Sequence, residues 1–480
     1  MLAWAALLPV LVVLGGLFLG ISSLRAAWMG LALALGLAAW GGWMGAYALP
    51  DAPALQAAAL HWLPVVLEVV CIIGGGLALS HLLQASGAQA ALADWLRQRA
   101  GSGVAAVLLV VHGATPFAES VTGFGIGVTV GIPLLLHFGL SPARAALVGL
   151  LGLCTVPWGS MGPGTLIAAQ MAGVPVDALG VSSAWLSLPP FIVAGWVAAW
   201  LASGPGQRWQ ALGLASVSAQ VLWLAVLLAN SLAGTPPAGA LGALAVMGFH
   251  LAFRPGAWLA WPPLAKPALQ AYAIVLGGLL LGRYGLHVGG WRGGAGAVLA
   301  SPAWWLWMAI GFVLWRTGGH GWRQTARARL ARAVQGWGNV ALVAVLYIAL
   351  GLVLSLSGMA ARLAQALASL GGGYALLAPF VGALGGFVTG SNTGANAMLA
   401  DTQARMALQI GAPLLPFMAT HNVSAALLLM ASPAKVEMAV RLCPLQAAQQ
   451  RAWVQRMVLL AALPSVLAMA THNAMMLWGG

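Results

Sequence analysis

Acid is almost absent from this sequence: seven Asp and Glu among 480 residues, against 20 Lys and Arg. Charged residues of both signs make up 6%, where an ordinary soluble domain carries about 25%. So few charges cannot cover a water-facing surface, and a cytosolic enzyme is excluded. No two acids stand two to four residues apart, so the acidic metal-binding cluster of an intramembrane enzyme, such as a lipid-modifying transferase, is missing as well. Cysteine is equally scarce. Cys71, Cys154 and Cys443 lie in or beside apolar segments without paired spacing, which argues against a disulfide framework and a zinc site. The net charge of +13 comes from arginines scattered singly between apolar runs, so no nucleic-acid partner is expected. No cofactor is expected either.

What the chain has in abundance is apolar sequence. Hydrophobic residues are 61% of the total, and apolar runs recur along the whole length. The expected fold is all-α, a polytopic membrane protein with the lipid bilayer as its solvent. Clean spans of roughly 20 residues are expected near 2–22, 27–49, 62–84, 181–203, 211–233, 237–253, 268–282, 299–316, 337–357 and 452–471. Broken segments bring the expected total to 12 to 14. The N-terminus has no basic stretch before its first apolar run, so it is expected to be a span and not a removable signal. Arg316, Arg323, Arg327, Arg329 and Arg332 form the one basic cluster, and the positive-inside rule places it in the cytoplasm. Arg25, Arg441, Arg451 and Arg456 then imply that both termini lie outside.

Two regions are not clean spans, 103–172 and 374–430. They are apolar on average but dense in Gly, Pro, Ser, Thr and Asn. Glycine is 64 of 480 residues, about twice the usual ~7%, and much of it falls in such places. The first region contains GATPFAESVTGFGIG (113–127) and CTVPWGSMGPGT (154–165). The second contains GALGGFVTGSNTGANAMLADTQ (382–403) and ATHNVSAALLLMASP (419–433). Backbone freed by glycine and proline cannot be satisfied by lipid, so these segments need protein or a watery cavity around them.

The two regions also repeat in order. Ser86-Gly87-Ala88 recurs as Ser357-Gly358-Met359, Val121-Thr122-Gly123 as Val388-Thr389-Gly390, and Thr155 as Thr420, at offsets of 271, 267 and 265. Three matches in register imply a duplicated unit whose halves, 1–235 and 236–480, join near 235–260. Broken hydrophobic segments at corresponding places in two halves mark a transporter's binding site.

Glu119 is the sharpest chemical signal. An ionised acid at the bilayer centre costs roughly 2.5–3.5 kcal/mol on insertion scales, so it should face a cavity or carry a proton. The alternative is a neutral Glu hydrogen-bonded to neighbouring broken-helix backbone. Ser120, Thr122, Gly123 and Gly125 surround it. Glu68 is the second intramembrane acid, open to either helix packing or function. His112 and His421 flank the broken segments, as members of a proton path or as hydrogen-bonding scaffold. Thr389, Gly390, Ser391, Asn392, Thr393 and Asn396 form the most polar stretch in any apolar region. Uncharged donors beside a helix N-terminus suit a small organic anion. Asn422 and Ser424 form a second such cluster, with Thr155 and Ser160 as first-half counterparts. Close packing of small residues is the competing explanation.

At these residues the sequence resembles the lactate permease family, which includes glycolate permeases. The family's Glu followed by small residues and Gly-Phe-Gly is met by Glu119-Ser120-Val121-Thr122-Gly123-Phe124-Gly125, with LLQASGA (82–88) as the preceding helix end. In the second half SGMAARLAQALA (357–368), LAPFVGALGGFVTGSNT (377–393), Gln403, Asn422, Ser424 and Ser432-Pro433 are similar to the family in identity and spacing. Family members usually carry Gly-Ala-Ala where this chain has Ser120-Val121-Thr122. The resemblance implies inverted repeats, each with a hairpin and a discontinuous helix. It also implies symport of a small 2-hydroxymonocarboxylate, lactate or glycolate, with protons across a bacterial inner membrane. Glu119 and His112 would then serve proton coupling. Na⁺ coupling is the alternative, because unwound carbonyls beside such a polar segment hold sodium in other anion carriers.

Overall fold

The computed structural model describes residues 2–252, 261–290, 294–318, 322–444 and 449–479. Among them the chain is all-α, with no strand. The expected joint near 235–260 falls partly on 253–260, outside the described residues, as do the side chains of Arg323 and Arg327. Nine described helices are long and apolar enough to cross a membrane, or ten if the pair Pro163–Ala172 and Val176–Trp185, bent by 112°, is one span. That is fewer than the expected 12 to 14, because several apolar runs are split. The run 2–22 divides into Leu2–Ala5 and Leu8–Phe18, and 181–203 divides ahead of Leu188–Ala202; each second piece carries proline in its first turn, at Pro9 and Pro189. Proline lacks the N–H that would continue a helix from the preceding turn, but it suits the first turn of a new one. The opposite error falls at 62–84, where one helix runs 34 residues from Ala52 to Ala85.

Outer helices bury small residues and show large ones to lipid. In Ser23–Trp43 the buried face is Ala26, Ala27, Gly30, Leu31, Ala34, Ala38 and Gly41, while Trp28, Leu35 and Trp43 are exposed. Small residues let helix backbones approach where lipid gives no hydrophobic drive. The irregular segments lie innermost. Spans Val104–Thr122, Pro142–Met161 and Leu414–Ala431 are 83%, 89% and 78% buried, against 33–50% for the other six. Protein therefore supplies the partners that their broken backbone needs.

Ten helices carry the two breaks, the repeated turns beside them and the residues behind them. In the first half these are α1 (Ala52–Ala85), α2 (Ala88–Arg99), α3 (Thr115–Thr122) and α4 (Ile126–His137). In the second they are α5 (Trp337–Leu356), α6 (Met359–Leu367), α7 (Gly373–Thr389), α8 (Asn392–Gln409), α9 (Leu414–Leu428) and α10 (Pro433–Arg441). The sequence repeats correspond to repeated local geometry. Between α1 and α2, Ser86 Oγ donates to Leu83 O and accepts from Ala88 N, and Gly87 has φ +73°. Between α5 and α6, Ser357 Oγ donates to Val353 O and accepts from Met359 N, and Gly358 has φ +75°. Thr122 and Thr389 each turn a hydroxyl back onto the carbonyl four residues earlier, Ala118 and Gly385, at 2.6 and 2.7 Å.

Candidate functional site

The first break lies between α3 and α4. Gly123, Phe124 and Gly125 have φ of +72°, +58° and +87° in succession, a left-handed path that only glycine follows without strain. Gly123 is fixed by space as well, since a Cβ there would stand 2.4 Å from Ser160 Cβ. Ser160 belongs to a second left-handed run, with Ser160, Met161 and Gly162 at +52°, +62° and +81°. Glu119, 3% exposed, reaches forward from α3 across the break. Both carboxylate oxygens accept from Gly125 N at 3.0 Å, and Oε2 also accepts from Gly127 N at 3.1 Å. The carboxylate thus caps the N-terminus of α4, where free N–H groups and the helix dipole favour an anion. The backbone hydrogen bond foreseen for Glu119 exists, with the carboxylate accepting.

The second break lies between α7 and α8. Gly390 is left-handed at φ +62°. Ser391 is extended and caps α8, its hydroxyl accepting from Gly394 N at 3.2 Å. Thr389 Oγ1 accepts from Ser391 N at 3.2 Å. The first N–H groups of α8 have no carbonyl partner within the helix.

The two breaks face one cavity of about 490 Å³. The first half contributes Glu119, Gly123, Phe124, Val156, Gly159, Ser160, Pro163 and Gly164. The second contributes Thr389, Gly390, Ser391, Asn392, Thr393, Leu429 and Lys435. The walls are completed by Ser22, Ser23 and Leu24, by Ile73 of α1, and by Asn339, Val340, Val343, Ala344 and Tyr347 of α5. Eight residues singled out from sequence therefore meet: Glu119, Gly123, Ser160, Thr389, Gly390, Ser391, Asn392 and Thr393.

Others stand behind the lining. Asn422 is fully buried, its Oδ1 accepting from Asn392 and Asn396 and its Nδ2 donating to Thr165 and Ser183, all within 3.0–3.1 Å. Asn396 also donates to Gly164 O at 3.1 Å. Ser120, Thr155, His421 and Ser424 are fully buried, with no hydrogen-bond partner for their side chains among the described residues. Thr122 spends its hydroxyl on Ala118 O, and Gly125 lies beneath Lys435. His112 is elsewhere, its Nε2 bonded to Phe191 O at 2.9 Å and its Nδ1 to Ser218 Oγ at 3.0 Å, with His250 on the other side of that hydroxyl. Glu68 accepts from Ser301 Oγ at 2.7 and 2.9 Å, outside the cavity. Among the described residues, no His, Cys, Asp or Glu cluster suits a metal ion.

Two ionisable residues of the cavity wall escaped the sequence reading. Lys435 is half-buried on the first turn of α10 and makes no hydrogen bond or ion pair through its side chain among the described residues. Its signal was available: it is one of two lysines in the chain and follows the Ser432-Pro433 step. Tyr347 is 1% exposed, and its hydroxyl has no partner among the described residues. Nothing in the apolar run around it marks that tyrosine in sequence.

A cavity between paired helix breaks, inside a bundle of membrane-spanning helices, defines a multi-pass transporter. The L-lactate permease family model matches residues 3–257 and 322–475. The chain belongs to that family, whose members are transporters and not enzymes. It is 26% identical to an L-lactate permease of Streptococcus iniae over 338 residues, 63% of this chain and 69% of the relative. It is 44% identical over 64 residues to that of Salmonella typhi, 13% of this chain and 12% of the relative. It is 37% identical over 92 residues to that of Escherichia coli K12, 19% and 17% of the two chains.

Proposed function

We propose that this protein is a secondary transporter of a small 2-hydroxymonocarboxylate, L-lactate or glycolate, moving together with protons. One observation carries the reading: both helix breaks open on a single cavity that holds one carboxylate, Glu119, and one ammonium, Lys435. The relatives' name, L-lactate permease, supports the substrate class. In this reading the substrate carboxylate binds at the first turn of α8, among Ser391, Asn392 and Thr393, where unpaired N–H groups favour an anion. Glu119 takes the coupled proton. The loaded cavity then moves relative to the outer helices and opens on the other side. The halves 1–235 and 236–480 act as repeats of inverted topology, and the chain lies in a bacterial inner membrane with both termini in the periplasm.

The test is uptake into proteoliposomes of labelled lactate, glycolate, acetate and succinate under an imposed pH gradient, then under a sodium gradient. Accumulation of lactate or glycolate driven by the pH gradient alone is the expected result. Accumulation that needs sodium would replace the proton as coupling ion. A Glu119→Gln protein that still concentrates substrate against its gradient would remove Glu119 from the coupling role.

A further inference from the structure

We infer that Lys435 is the residue that makes proton and substrate travel together, its ammonium balancing the charge of Glu119 across Gly125 in the empty cavity and pairing with the substrate carboxylate in the loaded one. The inference rests on the transport reading above and names how that site couples its two cargoes.

The geometry joins the two groups through one glycine. Gly125 N holds both Glu119 oxygens at 3.0 Å. A Cβ on Gly125 would lie 2.9 Å from Lys435 Nζ. Ammonium and carboxylate therefore share the same short stretch of left-handed backbone. Lys435 is also held there against local preference. It sits on the first turn of α10, where the helix dipole disfavours a cation. Ser432 pins that turn, its hydroxyl accepting from Lys435 N at 3.3 Å, and it packs on the second break, with Oγ 3.0 Å from where a Gly390 Cβ would stand. The lysine is thus tied to both breaks at once.

Charge balance then fixes the coupling. The ionisable side chains on the cavity wall, taken over every element that lines it, are Glu119, Lys435 and Tyr347. With Glu119 ionised and Lys435 protonated, the empty cavity is neutral. A substrate carboxylate entering alone gives it a net negative charge in a low-dielectric interior, which is strongly unfavourable. Neutrality returns when Glu119 gains a proton and Lys435 passes to the substrate. Without the lysine, a protonated Glu119 and a bound carboxylate would still leave one uncompensated charge. By linkage, each cargo raises the affinity for the other by the same factor.

The deciding measurement is proton uptake when L-lactate binds the purified full-length protein in weakly buffered detergent solution, followed with a pH indicator alongside calorimetry. Wild type should take up about one proton per lactate bound at neutral pH. Glu119→Gln should bind lactate without proton uptake and independently of pH. Lys435→Gln should bind roughly tenfold more weakly or worse, and Lys435→Arg should regain binding relative to it. Wild-type affinity and proton uptake in Lys435→Gln would overturn the inference, as would proton uptake in Glu119→Gln should the lysine variant fail to fold. Either result leaves the transport reading intact if wild-type proteoliposomes still accumulate lactate on a pH gradient. Failure of the wild type to bind or move any monocarboxylate defeats both.

Discussion

Asn422 donates through Nδ2 to Thr165 Oγ1 at 3.0 Å, bonding the second irregular region to the first across 257 positions of sequence. Its amide also meets Ser183, Asn392 and Asn396, so one buried side chain ties α9 to the start of α8 and to the bent helix pair after Gly162. The tie lies behind the cavity wall, and we expect it to hold the two breaks face to face. Asn422→Ala would remove the bonds that Asn392 Nδ2 and Ser183 Oγ make to it, while Asn396 and Thr165 keep bonds to Gly164 and Pro157; a buried polar group left unpaired costs about 1–3 kcal/mol. The expected outcome is a clear fall in thermal unfolding temperature in detergent, with uptake lost in parallel. An Asn422→Ala protein that melts like wild type would show the network to be dispensable.

The two break glycines should differ in tolerance. Gly123 and Gly390 are both left-handed, and a Cβ in that conformation costs roughly 1–2 kcal/mol. At Gly123 the added carbon also meets Ser160 Cβ at 2.4 Å, whereas at Gly390 the nearest atom is Ser432 Oγ at 3.0 Å. Gly123→Ala should therefore destabilise the protein more than Gly390→Ala. A combined Gly123→Ala, Ser160→Gly protein should recover part of the difference. Thermal melts of the three proteins check the order, and equal melting of the two single variants would contradict it.

The breaks were legible because their causes are local. A threonine followed by glycine at Thr122-Gly123 and Thr389-Gly390 already specifies a back-bonded hydroxyl and a left-handed residue. Ser86-Gly87 and Ser357-Gly358 do the same for the helix ends. What was not legible depends on packing between distant segments. Asn392 and Asn422 look alike in sequence, yet one lines the cavity and the other is locked behind it. Lys435 reaches the cavity only because Ser432 docks on the α7–α8 break. The run 62–84 did not reveal a 34-residue helix, because the residues that extend it, from Asp51 as its N-cap, carry no strong hydropathy.

His112 illustrates the same limit. Sequence placed it beside the broken segment as a candidate proton carrier. Its two ring nitrogens are bonded to Ser218 and Phe191, and it does not line the cavity. A ring so held is expected to act as a bracket between helices. His112→Ala should lower the melting temperature by the loss of two buried hydrogen bonds, about 0.5–1.5 kcal/mol each. The pH dependence of residual uptake should keep its wild-type shape. A flattened pH profile in a protein of normal stability would return His112 to the proton path.

Tyr347 offers the sharpest test of what the cavity selects. Its ring packs against the start of α8, with a Gly394 Cβ position 2.9 Å from Cδ2, and its hydroxyl is buried without a partner among the described residues. A buried hydroxyl left unpaired is unfavourable in the empty protein, and a substrate whose own hydroxyl reached it would supply the missing bond. Tyr347→Phe keeps the ring packing and removes only that donor and acceptor. The variant should melt at or above the wild-type temperature. It should also lose preference for lactate over the same acid lacking the 2-hydroxyl, by about tenfold for a bond worth ~1.4 kcal/mol. Competition of each acid against labelled lactate in proteoliposomes measures this directly, and unchanged selectivity would assign recognition of the hydroxyl to the α8 end of the cavity.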